Sequence, residues 1–199
     1  LTAKQNSADS EDVVKNKQSL DVPVYIGVSV TDAFYLSKKV TMTGTYVNAE
    51  GTVSNLTFDG LVQSGNGTAF ENIYTEDGTY TINVVTTDAA GNESTASIQF
   101  TIDNSDPVIS ELPAGWSGTI TSFEYVDPLT LVSDMTDCEV HMYINGVEYD
   151  GSEELPDGAY TLVITAEDEL GHIVETSTEF VIDSQAPVFI VTGVEKDQV

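Results

Sequence analysis

The sequence predicts an all-β chain built as two tandem antiparallel Greek-key sandwiches. Three observations lead there. First, a long stretch returns with fixed spacing. Asp77-Gly78-Thr79-Tyr80-Thr81-Ile82 recurs as Asp157-Gly158-Ala159-Tyr160-Thr161-Leu162. Asp88, Gly91, Phe100, Ile102, Asp103 and Pro107 recur as Asp168, Gly171, Phe180, Ile182, Asp183 and Pro187. The offset is 80 throughout (157 − 77 = 80 and 187 − 107 = 80). A period of that size is a duplicated small domain, longer than a solenoid unit. Second, apolar residues alternate with polar ones at period two, and no stretch shows a helical period. Third, Gly, Asn and Asp turns break the chain at short intervals, as in antiparallel sandwiches.

Residues 1–21 are polar and aperiodic, as in Lys4-Gln5-Asn6-Ser7-Ala8-Asp9. They read as a linker or disordered lead-in. Pro23-Val24-Tyr25-Ile26, Pro107-Val108-Ile109 and Pro187-Val188-Phe189-Ile190 then look alike. Each is expected to open a first, edge strand, because Pro cannot donate to a ladder. In Val40–Tyr46, Val40, Met42 and Tyr46 share a face. In Cys138–Ile144, Cys138, Val140, Met142 and Ile144 share one face, and Glu139, His141 and Tyr143 the other. Asn145-Gly146 follows directly, a strong hairpin signal, since a type I′ turn needs positive φ at both positions. Tyr80–Thr87 with Ser94–Ile102, and Tyr160–Glu167 with Ile173–Ile182, form a second kind of hairpin. The expected layout is a first domain over 22–106 and a second over 107–186. Residues 187–199 are either the start of a third repeat or an added edge strand.

Charge narrows the function. The chain has 33 acidic residues against 6 lysines, for a net charge of −27. No lysine or arginine lies between Lys39 and Lys196. Nucleic acid and anionic lipid are therefore repelled. No run of about 20 apolar residues exists, so no membrane insertion is expected. Cys138 is the single cysteine, which excludes an intrachain disulfide. With no initiator Met or leader, the sequence reads as a piece of something longer.

Asp-Gly-x-Tyr before a strand has a physical meaning. In a Greek-key sandwich a Tyr near the start of strand F can donate its hydroxyl to backbone a few residues upstream, a tyrosine corner. Tyr80 and Tyr160 are placed for it. The plainer reading is two strand tyrosines chosen for β propensity.

The stretch Asp77–Asn92, with Phe100-Thr101-Ile102-Asp103 and Pro107, resembles the bacterial immunoglobulin-like (Ig-like) repeats of secreted and cell-surface proteins. The second copy departs from that pattern, with Glu169-Leu170-Gly171-His172 for Ala89-Ala90-Gly91-Asn92. The resemblance implies Ig-like sandwiches, an extracellular or cell-wall location, and a non-enzymatic role as stalk or spacer. Two alternatives are an adhesin module for host glycan or protein, and an accessory part of a large extracellular hydrolase. The expected partners are neighbouring Ig-like domains, with host or cell-wall glycan or protein under the adhesin reading.

No catalytic or cofactor-binding set is expected. Cys138 alternates with core positions and reads as a small buried hydrophobe. His141 reads as part of a solvated face, and His172 as a loop residue. The two histidines and one cysteine lack zinc spacing. Structural calcium is the one cofactor worth naming, because carboxylates at loop ends can supply oxygen ligands. Its candidates are Asp88, Asp103, Asp106, Asp168 and Asp183, each equally at home as an ordinary turn residue. The lone Trp116 either plugs a sandwich end or stacks on a sugar.

Overall fold

The structure, a computed structural model, describes residues 1–31, 37–64 and 67–190. The chain divides into two compact units. One comprises residues 1–108, 132–139 and 166–174; the other comprises 109–131, 140–165 and 175–199.

The first unit contains β1 (Thr2–Gln5), β2 (Gln18–Leu20), β3 (Val24–Val30), β4 (Ser37–Val47), β5 (Val53–Ser64), β6 (Gly67–Tyr74), β7 (Gly78–Thr87) and β8 (Glu93–Ile102). They form a three-stranded sheet β1-β3-β6 and a five-stranded sheet β2-β8-β7-β4-β5. The alternation works as the sequence promises. Val40, Met42, Tyr80, Ile82, Val84, Phe100 and Ile102 are buried, with Val24, Ile26 and Val28 from the smaller sheet. Burying side chains of this size contributes about 1.5–3 kcal/mol each.

Two expectations fail here. Residues 1–21 are not a disordered lead-in. They supply β1 and β2, and Ala3, Val14 and Leu20 sit in the core. Three apolar residues spaced 11 and 6 apart carry no period, so sequence patterning cannot see them. The second failure is Pro23. It does not open an edge strand, because β3 is the central strand of its sheet. Pro23 stands just ahead of the ladder, and its carbonyl accepts the Asn6 amide at 2.7 Å.

Further along run β9 (Val108–Ile109), β10 (Gly118–Ile120), β11 (Val132–Ser133), β12 (Cys138–Ile144), β13 (Val147–Glu148), β14 (Gly158–Asp168) and β15 (Ile173–Ile182). A five-stranded sheet has the order β10-β15-β14-β12-β13, and β9 pairs with β11. The Asn145-Gly146 hairpin is confirmed, with φ of 51° and 78° and Ile144 opposite Val147. No strand forms over 121–127, directly after β10, whereas in the first copy β2 is soon followed by β3. The sequence there, Thr-Ser-Phe-Glu-Tyr-Val-Asp before Pro128, offers few apolar residues to a ladder. Trp116, Phe123 and Leu155 pack on Met142, Ile144, Leu162, Ile164, Phe180 and Ile182 instead. Val188, Phe189 and Ile190 carry no strand and are exposed, so they add no edge strand. Residues 191–199 lie outside the described residues.

Both copies share one construction at their ends. The short β2 pairs parallel with β8, Gln18–Leu20 against Phe100–Ile102. Equally, β10 pairs parallel with β15, Gly118–Ile120 against Phe180–Ile182.

Candidate functional site

The repeated positions are structural pins. Tyr80 donates its hydroxyl to the Glu76 carbonyl at 2.8 Å, and Tyr160 donates to Pro156 at 2.8 Å. Both tyrosine corners therefore form. Burial pushes the Tyr80 phenol up, with Tyr46 and Glu76 adding to it, so it stays a donor. Asp77 Oδ1 accepts the Asn104 amide at 3.1 Å, and Asp157 Oδ1 accepts the Ser184 amide at 3.1 Å.

The turns that close β7 and β14 are built the same way, with one exchange. Asp88 Oδ1 accepts the amides of Ala90 and Asn92, and its Oδ2 accepts the Asn92 side-chain amide, each at 2.8 Å. Asp168 Oδ1 accepts the amides of Leu170 and His172 at 2.8 Å, but its Oδ2 meets His172 Nδ1 at 2.7 Å. His172 is thus a partner of Asp168, not a plain loop residue. The hydrogen bond to Asp168 raises the His172 pKa above 6.5. Burial works to raise the Asp168 pKa, but the His172 ring and the two amides outweigh it, and the net shift is downward.

The raised histidine contributes stability fully below about pH 6.5, and that contribution fades as pH climbs through its folded value. The lowered aspartate contributes above its ordinary value and loses that as pH falls through its folded value. The pair is therefore strongest between about pH 4 and 6.5. His172→Asn, which installs the first copy's amide, is expected to flatten the histidine limb. Urea midpoints at pH 5.5 and 8.5 should differ less in the variant than in the parent. An identical difference in both proteins would rule the pair out as a pH-dependent contributor.

Asp168 also belongs to a carboxylate trio within the first unit. Oxygens of Asp103, Asp134 and Asp168 lie within 4.8 Å of one another. Asp103 is fully buried and Asp168 nearly so. Thr136 Oγ1 lies 3.2 Å from Asp103 Oδ2 and 3.0 Å from Asp134 Oδ2. Ser105 supplies its amide and hydroxyl to Asp103 Oδ1. Of the five calcium candidates, the structure brings Asp103 and Asp168 together. Asp88 sits in its own turn, and Asp106 and Asp183 are exposed and outside the trio. Asp134 went unseen in the sequence because its counterpart 80 positions earlier is Ser54. The oxygen donors suit a hard divalent cation, but three side chains are few against the six to eight oxygens calcium takes.

Cys138 is half-buried rather than a core residue. Its Sγ points at the Thr136 carbonyl at 3.8 Å. Burial pushes its thiol pKa up, with Asp134 next in effect, which disfavours the thiolate. Trp116 is buried, and its Nε1 donates to the Glu124 carbonyl at 2.9 Å. Its ring stacks on Phe123, so no face is left for a sugar.

A groove of about 670 Å³ opens in the second unit, on the β12–β13 hairpin and the loops holding Tyr125 and Asp150. Gly151 has φ +79°, and a Cβ there would come within 2.5 Å of the Tyr125 ring. Glycine therefore lets Tyr125 lie against the backbone. Tyr149 meets Tyr125 edge-on at 6.0 Å and Phe123 at 5.9 Å. On the hairpin, His141 Nδ1 pairs with Glu148 Oε1 at 2.8 Å.

No helix among the described residues is long and apolar enough to cross a membrane. Comparison with curated proteins found no match. Among solved structures, the chain is similar to the fibronectin(III)-like modules of Clostridium thermocellum CbhA. Identity is 11%, coverage is 96% of this chain and 100% of that one, and the TM-score is 0.31. It is also similar to dimeric latent PorU from Porphyromonas gingivalis, at 15% identity and a TM-score of 0.30. That match covers 93% of this chain and 24% of PorU, so the chain spans about a quarter of its length. Ig-like and fibronectin(III)-like modules are a kind of domain that is usually non-catalytic. Residues 26–104 match the family model described as bacterial Ig-like domain, and over that stretch the resemblance read from the sequence holds.

Proposed function

We propose that this chain is a non-enzymatic spacer segment of a bacterial secreted or surface protein, joined to further Ig-like domains and loaded along its length. The observation that supports this reading is the parallel pairing at the ends of both copies. In each, an early strand lies parallel to the last one: β2 on β8, and β10 on β15. Tension pulls the early strand toward the N-terminus and the late strand toward the C-terminus. Two parallel neighbours are then drawn past one another along their length. Their hydrogen bonds share the load and must fail together. Antiparallel neighbours pulled at adjacent ends open one bond at a time.

The test compares two ways of holding one protein, with Cys138→Ser as background. In one, single molecules are stretched from the two chain ends. In the other, they are stretched through cysteines placed at Glu76 and Asp106, flanking the antiparallel β7–β8 pair. End-loading is expected to need the larger unfolding force, by several-fold. Equal forces in the two geometries would overturn the spacer reading.

A further inference from the structure

We propose that the groove of the second unit is a binding site for basic peptide, taking arginine or lysine side chains of a protein partner. The inference stands apart from the spacer reading and uses none of the residues that pin the two copies.

Four of the twelve described residues that line the groove are carboxylates: Asp127, Glu148, Asp150 and Glu153. Two are held in place by loop amides. Asp127 Oδ1 accepts the Leu129 amide at 3.0 Å, and Asp150 Oδ1 accepts the Ser152 amide at 2.9 Å. These bonds fix how the two carboxylates stand in the loops. Glu148 holds His141, which among the described lining residues is the one able to carry positive charge. A concave, singly signed lining concentrates the field at its mouth. The density here, four in twelve, is about twice that of the chain (33 in 199).

The second component is aromatic. Tyr125 is 37% exposed. One side of its ring is covered by Gly151, and no hydrogen bond to a described residue occupies its hydroxyl. Tyr149 is fixed differently, its hydroxyl donating to the Glu153 carbonyl at 2.6 Å. Through Phe123 the pair is continuous with the packed rings of Trp116 and Phe180. The aromatic wall is therefore set before any ligand arrives, and pre-ordered walls lower the cost of binding. A guanidinium fits such a place well. It stacks on an aromatic face and bonds carboxylates with two parallel N–H groups. A neutral sugar can donate hydroxyls to these carboxylates, but it gains no net Coulomb attraction from their charge. Anionic ligands are repelled.

The probe is an N-acetylated hexa-arginine peptide, titrated calorimetrically into the full chain. Two groove variants are compared with the parent: Tyr125→Ala, and the surface pair Glu148→Gln with Glu153→Gln. The control removes the same charge elsewhere, with Glu11→Gln and Glu50→Gln, both exposed. The proposal expects affinity to fall at least about ten-fold in both groove variants and less than about two-fold in the control. Equal losses in the groove pair and the control would overturn it, since only diffuse attraction to an acidic protein would remain. Binding of a neutral tetrasaccharide at Tyr125, with no peptide binding, would also overturn it.

Discussion

Trp116→Ala is expected to destabilise the second unit by about 3–5 kcal/mol. Trp116 is almost completely buried and is among the largest buried side chains. Its ring stacks on Phe123, which stacks in turn on Phe180. This unit covers its sheet with loops rather than a long second sheet, so the indole does work that β3 and β6 share in the first unit. Truncation removes the stacked ring, leaves a cavity over Phe123, and leaves the Glu124 carbonyl without its donor. In a unit of this size each kcal/mol moves the melting temperature by about 4–8 °C. The loss should therefore lower the melt by at least about 12 °C. Hydrogen exchange on peptides from residues 140–165 reads it within the right unit. Trp116→Phe should recover much of the loss, because it restores an aromatic cover without the N–H. A melt unchanged by Trp116→Ala would mean that the Phe123 loop is not part of the core.

Gly44→Ala is the second large effect, a loss of about 1–3 kcal/mol or somewhat more. Gly44 lies opposite Ile82 where β4 and β7 pair. A Cβ at this position would run into the carbonyl oxygen of Thr81, with the Ile82 Cα at 3.4 Å. Both are backbone, so no side chain can rotate away. The strands must part at the middle of the sheet, where each has a neighbour on its other side. Gly115→Ala is the matched control, because no described residue lies within 4 Å of a Cβ there. Urea midpoints of the two variants should separate clearly. Coincident midpoints would show that the β4–β7 pairing gives way without cost.

How much of this was legible beforehand follows from what each feature depends on. The Val40–Tyr46 strand, the Asn145-Gly146 turn and both tyrosine corners rest on nearest neighbours and a period of two. They were readable one residue at a time. Duplication supplied the rest of the first layer, because each pin at Asp77, Tyr80 and Asp88 announces its copy. What was hidden depends on distant partners. The N-terminal strands are too short and too polar to show a period, and they are held by β3 and β8, far along the chain. Asp134 has no counterpart in the first copy, and only tertiary structure brings it to Asp103. Gly44 looks like a gap in an alternating strand until Thr81 is seen beneath it. Trp116 was readable as a plug or as a platform, and only its burial decides between them.

The paired turns at Asp88 and Asp168 carry a consequence for how such a duplicated protein diversifies. The two loops follow the same hydrogen-bonded path, yet a carboxamide closes one and an imidazole the other. A single codon position thus changes what the corner senses while the neighbouring strands keep their register. Corners of this kind let sister modules drift apart in chemistry without renegotiating the architecture they inherited.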